Sequence, residues 1–404
     1  MPTLTPDARV TRWMIVILLA AFFAADVIAT QVVFTSRVPG ANDFFVAWES
    51  ARSFWRDGLS PYSDDVRMRV QIGMYGRPAR PDEDPGPFAY PFYIVLTLWP
   101  LVWWSYSWVQ AFWITLLEFL IVAITLMSLW LLRWKPAPLT LAACVLGTLF
   151  FYNSARAIVL GQYAIVVAAC VIGALVALRA ERDWLAGILL GLSTIKPQMA
   201  FLTILYVLLW CAVRRRWKVI GGLAVTMSAL IGLSFLLLPS WVSDFLRGVQ
   251  GYTMHEIGSP VWIITQYYLR LGSVGEWIVS GAIGLALVAA WPRTLRDDWG
   301  AFMWMSHLTL VVSNLIALRT ATTNYVIFYP AMWLVARAML DHWPGYGRWL
   351  AALSGVALLV GLWVLFAMTV TGKAEHPLVY LPLPFGLALI LVIWRRALVV
   401  SAHK

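Results

Sequence analysis

Trp13 to Phe34 reads WMIVILLAAFFAADVIATQVVF, an apolar run carrying a single charged residue, Asp26. Wound as an α-helix at about 1.5 Å per residue, it is ~33 Å long, enough to cross the ~30 Å hydrocarbon core of a bilayer. Arg9 and Arg12 precede it. The run is longer than the core of a secretory signal and lacks a small-residue cleavage site, so it reads as a retained first helix.

The same pattern recurs along the 404 residues, of which 61% are hydrophobic and 12% charged, with a mean hydropathy of +0.76. A soluble domain carries about 25% charged residues, twice this content. The apolar stretches are continuous rather than alternating, and in lipid every backbone N–H and C=O must be paired within the protein. Together these features predict helices and exclude a β-barrel. Apolar segments fall at about 13–34, 88–104, 107–132, 138–153, 162–179, 184–195, 198–213, 217–238, 274–292, 300–318, 324–340, 348–370 and 378–396. A shorter piece, 261–271, reads as interfacial or re-entrant. The expected fold is all-α: one integral membrane domain over 1–404, a polytopic transmembrane bundle of about 11 to 13 hydrophobic helices.

The net charge of +10 comes from Lys and Arg in short connections, where membrane orientation and anionic headgroups account for it, so no nucleic-acid partner is expected. Cys144, Cys170 and Cys211 lie in apolar segments without metal or disulfide spacing. Arg214 to Arg216, Arg293, Arg296, Arg337, Arg395 and Arg396 fall at every second connection and mark the cytoplasmic side. The connections 240–260, 319–324 and 371–377 then face outward. A cytoplasmic N-terminus agrees with this orientation if residues 88–104 dip in without crossing. The alternative is a single helix over 184–213 interrupted at Lys196-Pro197.

The one long polar stretch, 35–87, contains seven Arg and eight Asp or Glu and is too large for a simple connector. Asp43, just past the first helix, is a candidate general base for an attacking hydroxyl; the plainer reading is the cap of an amphipathic helix over 44–56. Glu49 is placed to pair with Arg52 or Arg56. Gly58 to Tyr62 form a turn, and Tyr90-Pro91 opens the next segment.

Charges inside apolar segments are costly and mark candidate sites. Arg156, followed by Gly161-Gln162-Tyr163, and Lys196, beside the helix-breaking Pro197, suit a phosphate at membrane depth. Snorkelling to the interface is the alternative for both. Arg319 to Tyr325, with Thr320, Thr322, Thr323 and Asn324, offers a hydrogen-bonding set for a sugar or phosphate, and His255-Glu256 a further polar pair. Asp26, Glu118 and His307 read as hydrogen-bonded groups within helices. No Gly-rich nucleotide loop and no Cys/His cluster occurs.

The order Asp43, Gly58-x-x-Pro61-Tyr62, Tyr90-Pro91, Gly161-Gln162 and Lys196-Pro197 before a basic loop resembles the GT-C glycosyltransferases, in particular glycosyltransferase family 87. The resemblance implies a multi-pass cell-membrane enzyme with its site on the extracytoplasmic side. It implies inverting sugar transfer without metal or cofactor, from a polyprenyl-phosphate-linked mannose or other sugar to a lipid or glycan acceptor. Asp43 matches the family's catalytic carboxylate. Lys196, Arg156, Gln162, Arg319, Asn324, His255 and Tyr62 are the residues expected to bind the donor phosphate or substrate. Mannosyltransferase members carry a histidine-containing Ser-Pro-x-x-Trp region in a late outer loop; the comparable turn here has Asn324 and no His, so no acceptor is assigned. A transporter or flippase of lipid-linked or anionic substrates is the competing expectation, set against it by the lack of an inverted repeat.

Overall fold

The structure, a computed structural model, describes residues 6–38, 40, 42–81, 83–252, 258–371 and 375–403. Among these residues the chain is helical, in nineteen α-helical pieces joined by short 3-10 and π turns. The first is α1 (Pro6–Thr30), which runs on through a π turn to Thr35. Its large apolar side chains, Trp13 to Leu19 and Phe22 among them, are mostly exposed, and such a continuous apolar face requires lipid as its solvent.

Among the described residues, five helices are long and apolar enough to cross a membrane: Arg9–Thr35, Tyr106–Leu131, Trp217–Leu237, Gly272–Arg293 and Gly347–Thr369. Two bent pairs raise the number to seven if each is one span, Pro138–Leu149 with Tyr152–Leu160 at 54° and Pro377–Ile393 with Arg395–Ala402 at 86°. Shorter apolar helices make up much of the remainder. The polytopic all-α bundle is therefore present, while several of the segments expected as straight helices are shortened or bent.

The polar stretch over 35–87 forms α2 (Asn42–Asp57) and α3 (Asp64–Tyr75). Ser63 caps α3 by accepting from the Val66 amide at 3.4 Å. Residues 88–104 do not form a spanning helix. Pro85, Pro87 and Pro91 keep the approach extended, and the chain then winds only into a six-residue α4 (Tyr93–Leu98) and a 3-10 turn around Pro100. Those nine residues reach only ~14 Å.

Next come α5 (Tyr106–Leu131), α6 (Pro138–Leu149), α7 (Tyr152–Leu160), α8 (Ala164–Arg179), α9 (Asp183–Leu192) and α10 (Pro197–Val213). The segment expected over 138–153 breaks near Phe150, so Arg156 lies on α7, turned away from α6. The chain continues through α11 (Trp217–Leu237), α12 (Trp241–Tyr252), the short α13 (Pro260–Trp262) with a π turn to Tyr268, α14 (Gly272–Ala290) and α15 (Trp299–Leu315). Every residue of α15 from Gly300 to Leu315 is buried, making it the central post of the bundle. A 3-10 turn (Thr322–Phe328) then leads to α16 (Tyr329–His342), α17 (Gly347–Thr369), α18 (Pro382–Ile393) and α19 (Arg395–His403).

Where α9 crosses α11, the backbones nearly touch. A Cβ built on Gly187 would lie 2.1 Å from the Val219 carbonyl oxygen and 2.9 Å from the Gly222 Cα, and one on Gly191 2.8 Å from Thr226 Cγ2. Gly187-x-x-x-Gly191 is thus a small-residue seam of the kind that lets membrane helices pack closely, and it fixes the helix that ends at Lys196. Gly187→Val should push α9 off α11, lowering the melting temperature of the detergent-purified protein by several degrees. A wild-type melting curve for G187V contradicts this packing.

Candidate active site

Trp113 on α5 fastens two distant pieces of chain. Its ring stacks on Phe44 at 4.3 Å between centroids, with planes 9° apart. Its indole N–H donates to the Gly161 carbonyl at 2.9 Å. Tyr106, two turns earlier on α5, donates to the Gly40 carbonyl at 2.9 Å. One helix face therefore holds both the start of α2 and the α7–α8 junction. Gly161 ends α7 with φ +71°, the left-handed conformation that glycine adopts at low cost, and this turn aims Gln162 toward α2.

Asp43 is the second residue of α2. The cap reading is displaced by a tertiary partner: the Gln162 Nε2 donates to Asp43 Oδ2. The Gln162 Oε1 accepts from the Lys196 ammonium at 2.8 Å, and the same ammonium donates to Asn324 Oδ1 at 3.0 Å. Asn324 in turn donates to Thr320 Oγ1 at 3.1 Å. Lysine has only donors, so it selects the amide oxygens of both partners and leaves the Gln162 NH2 for Asp43. Lys196 stands outside helical geometry (φ −129°, ψ 76°) between a 3-10 turn and α10, as expected for a residue preceding proline. Gln162 and Asn324 are buried, whereas Asp43 and Lys196 are half-buried.

Four elements thus bring Asp43, Gln162, Lys196 and Asn324 into one chain of hydrogen bonds at one end of the bundle. The Gln162 amide thus bonds to an acid on one side and to a cation on the other. That arrangement suits a proton acceptor on one side and an anion on the other.

The model of glycosyltransferase family 87 matches residues 88–318, which is more than half of the 404-residue chain. The chain belongs to glycosyltransferase family 87. It is accordingly a membrane glycosyltransferase, not a transporter. No curated protein and no solved structure matches it. The matched span contains Tyr90, Arg156, Gln162 and Lys196, while Asp43, Arg319 and Asn324 lie beyond its ends.

The other residues singled out in the enzyme's sequence lie around this chain of hydrogen bonds or apart from it. Arg319 is half-buried at the start of the turn that carries Thr320 and Asn324. Tyr62 donates to the Tyr90 carbonyl at 2.8 Å, tying the polar stretch over 35–87 to Tyr90, whose ring lies 5.5 Å from that of Tyr163. Burial, followed by the nearby negative charge of Asp244, holds the Tyr62 phenol well above its ordinary pKa. Glu49 pairs with Arg52 at 3.2 Å. Glu118 on α5 lies beside Asp26 on α1, and His307 is buried against the Met303 carbonyl. His255 and Glu256 lie outside the described residues.

Arg156 is engaged elsewhere. Its Nε lies 3.2 Å from Glu375 Oε1, and its guanidinium sits over Phe366 at 5.3 Å. Glu375, which nothing in its local sequence distinguishes, also accepts from the Tyr152 hydroxyl and from Thr322 Oγ1, the latter at 2.6 Å. The Thr322 carbonyl accepts from Asn153 Nδ2 at 2.7 Å. The turn bearing Asn324 is thereby tied to α7 and to the loop after α17. The sequence signal for Glu375 was Arg156 itself, a cation within an apolar segment that required a carboxylate partner.

Glu375→Gln leaves the Arg156 guanidinium without its counter-ion. Removing one partner of a fully buried pair costs roughly 3–5 kcal/mol, and the half-buried Arg156 side chain reduces that cost. Thermal unfolding of the E375Q protein should shift down by several degrees, and a second change, Arg156→Gln, should recover part of the loss. Equal melting temperatures for wild type and E375Q would show that this pair does not hold the turn.

Proposed function

We propose that the enzyme transfers a sugar from a polyprenyl-phosphate donor to a hydroxyl of a lipid or glycan acceptor, with inversion, at the extracytoplasmic face of the cell membrane. Asp43 is the general base in this reading. The observation that carries it is the chain Asp43–Gln162–Lys196–Asn324. The acceptor hydroxyl gives its proton to the Asp43 carboxylate, and its oxygen attacks the anomeric carbon from the face opposite the leaving group. The bond from that carbon to the phosphate oxygen breaks, and the electron pair leaves with the lipid phosphate. Lys196 neutralises the charge that develops there, acting only as the transition state forms. Arg319 and Asn324 line the approach to the phosphate and sugar, while Arg156 acts through Glu375 by holding the 320–324 turn. No residue of this set requires a metal for its role.

Two observations support the side and depth of the site. Arg133, Arg179 and Arg214 follow or close the far ends of α5, α8 and α10, and clustered arginines in short connections mark the cytoplasm. Gln162 and Lys196 precede the opposite ends of α8 and α10. These helices have 16 and 17 residues, or ~24–26 Å, short of the ~30 Å apolar core. The site is then recessed to where a lipid-borne phosphate resides, with the prenyl tail among the helices.

Asp43→Asn keeps an oxygen to accept from Gln162 and removes the base. Release of free polyprenyl phosphate should fall by about 10²–10⁴, measured with purified enzyme, polyprenyl-phosphate mannose or arabinofuranose and a membrane glycolipid extract. Lys196→Ala should cost about 10²–10³. Wild-type turnover in D43N rejects the assigned base, and an intact donor bond with the wild-type enzyme rejects the donor class.

A further inference from the structure

The end of the bundle away from Asp43 contains a cavity of about 690 Å³. Its guanidinium groups come from three connections far apart in sequence: Arg133 after α5, Arg179 at the end of α8, and Arg214 and Arg216 after α10. Two indoles stand behind them. Arg214 and Arg216 lie over Trp210 at 5.4 and 5.7 Å, and Arg179 over Trp299 at 5.6 Å. An indole face at this distance attracts a guanidinium.

Part of three of these forks is already committed. Arg216 donates to Asp183 Oδ1 from Nε at 3.1 Å and to the Leu178 carbonyl at 2.9 Å. Arg179 donates to the Leu131 carbonyl and Arg214 to that of Asp297. Backbone carbonyls fix position without neutralising charge. Among the described residues, Asp183 and Glu181 are the only carboxylates in the lining, so four cations face two anions. The cavity therefore keeps an excess of two positive charges in a concave, aromatic-backed pocket at a helix-end boundary. Phosphate oxygens match the planar fork of arginine, and indoles favour the membrane interface.

We infer that this cavity binds a phosphate-bearing anion carrying two negative charges, either as the headgroup of an anionic lipid or free in solution. It lies ~24 Å, the length of α8, from Gln162, so its occupant is distinct from the sugar donor, and the inference stands whether or not Asp43 is the base.

Native mass spectrometry of the detergent-purified full chain with cardiolipin and with phosphatidylcholine tests this inference, alongside melting curves in inorganic phosphate. Wild-type protein should retain cardiolipin about tenfold better than phosphatidylcholine, given ~1 kcal/mol per basic residue at the surface; stabilisation by inorganic phosphate without lipid retention assigns the soluble source instead. Arg133→Ala with Arg214→Ala should abolish the preference and leave sugar transfer unchanged. Arg293→Ala with Arg296→Ala removes the same charge from exposed positions outside the lining and should leave it intact. Equal losses in the two double variants, or a wild-type protein indifferent to both cardiolipin and phosphate, overturn the site; the wild-type comparison decides even if a variant fails to fold.

Discussion

A single primary amide, that of Gln162, stands between the Asp43 carboxylate and the Lys196 ammonium. Through the amide each group is hydrogen-bonded by the side that suits its charge, N–H toward the carboxylate and C=O toward the ammonium. In the proposed reaction the carboxylate is the proton acceptor and the cation meets the charge developing on the phosphate. At membrane depth, where the local dielectric is low, such fixed groups act more strongly than they do in water.

Much of the bundle can be understood as the support for that amide. Trp113 pins both Phe44 and Gly161, which sets the distance between α2 and the α7–α8 junction. The Lys196-Pro197 break directs an ammonium out of the helical stack where a continuous helix would have left it on a lipid face. The Gly187–Gly191 seam locks the helix that delivers Lys196. Glu375, with Arg156, Tyr152 and Thr322, holds the turn that delivers Asn324. Each support comes from a different segment, so the site exists only in the folded bundle.

The membrane class was legible because it rests on local pattern, the long apolar runs. A carboxylate at the end of the first helix and an ammonium beside a proline drew attention to Asp43 and Lys196 in the same way, and the fold joins these two to Gln162 and Asn324. What local pattern does not reveal is partnership. Arg156 reads as a phosphate ligand until its carboxylate, more than two hundred residues away, is seen beside it. Glu375 reads as an ordinary loop acid for the same reason. Helix length is also misread where apolarity continues through a bend, as at Phe150, because lipid-compatible composition does not specify where a helix kinks. His255 lies outside the described residues, and its expected role rests on the sequence alone.

The most direct test of the central claim is a structure of the enzyme bound to a non-transferable phosphonate analogue of a polyprenyl-phosphate sugar. The account predicts phosphonate oxygens within about 4 Å of the Lys196 ammonium, the range of an ion pair, with Asp43 facing the anomeric carbon from the side opposite the phosphonate. A phosphonate seated in the arginine-lined cavity at the other end, or an Asp43 turned away from the sugar, contradicts it.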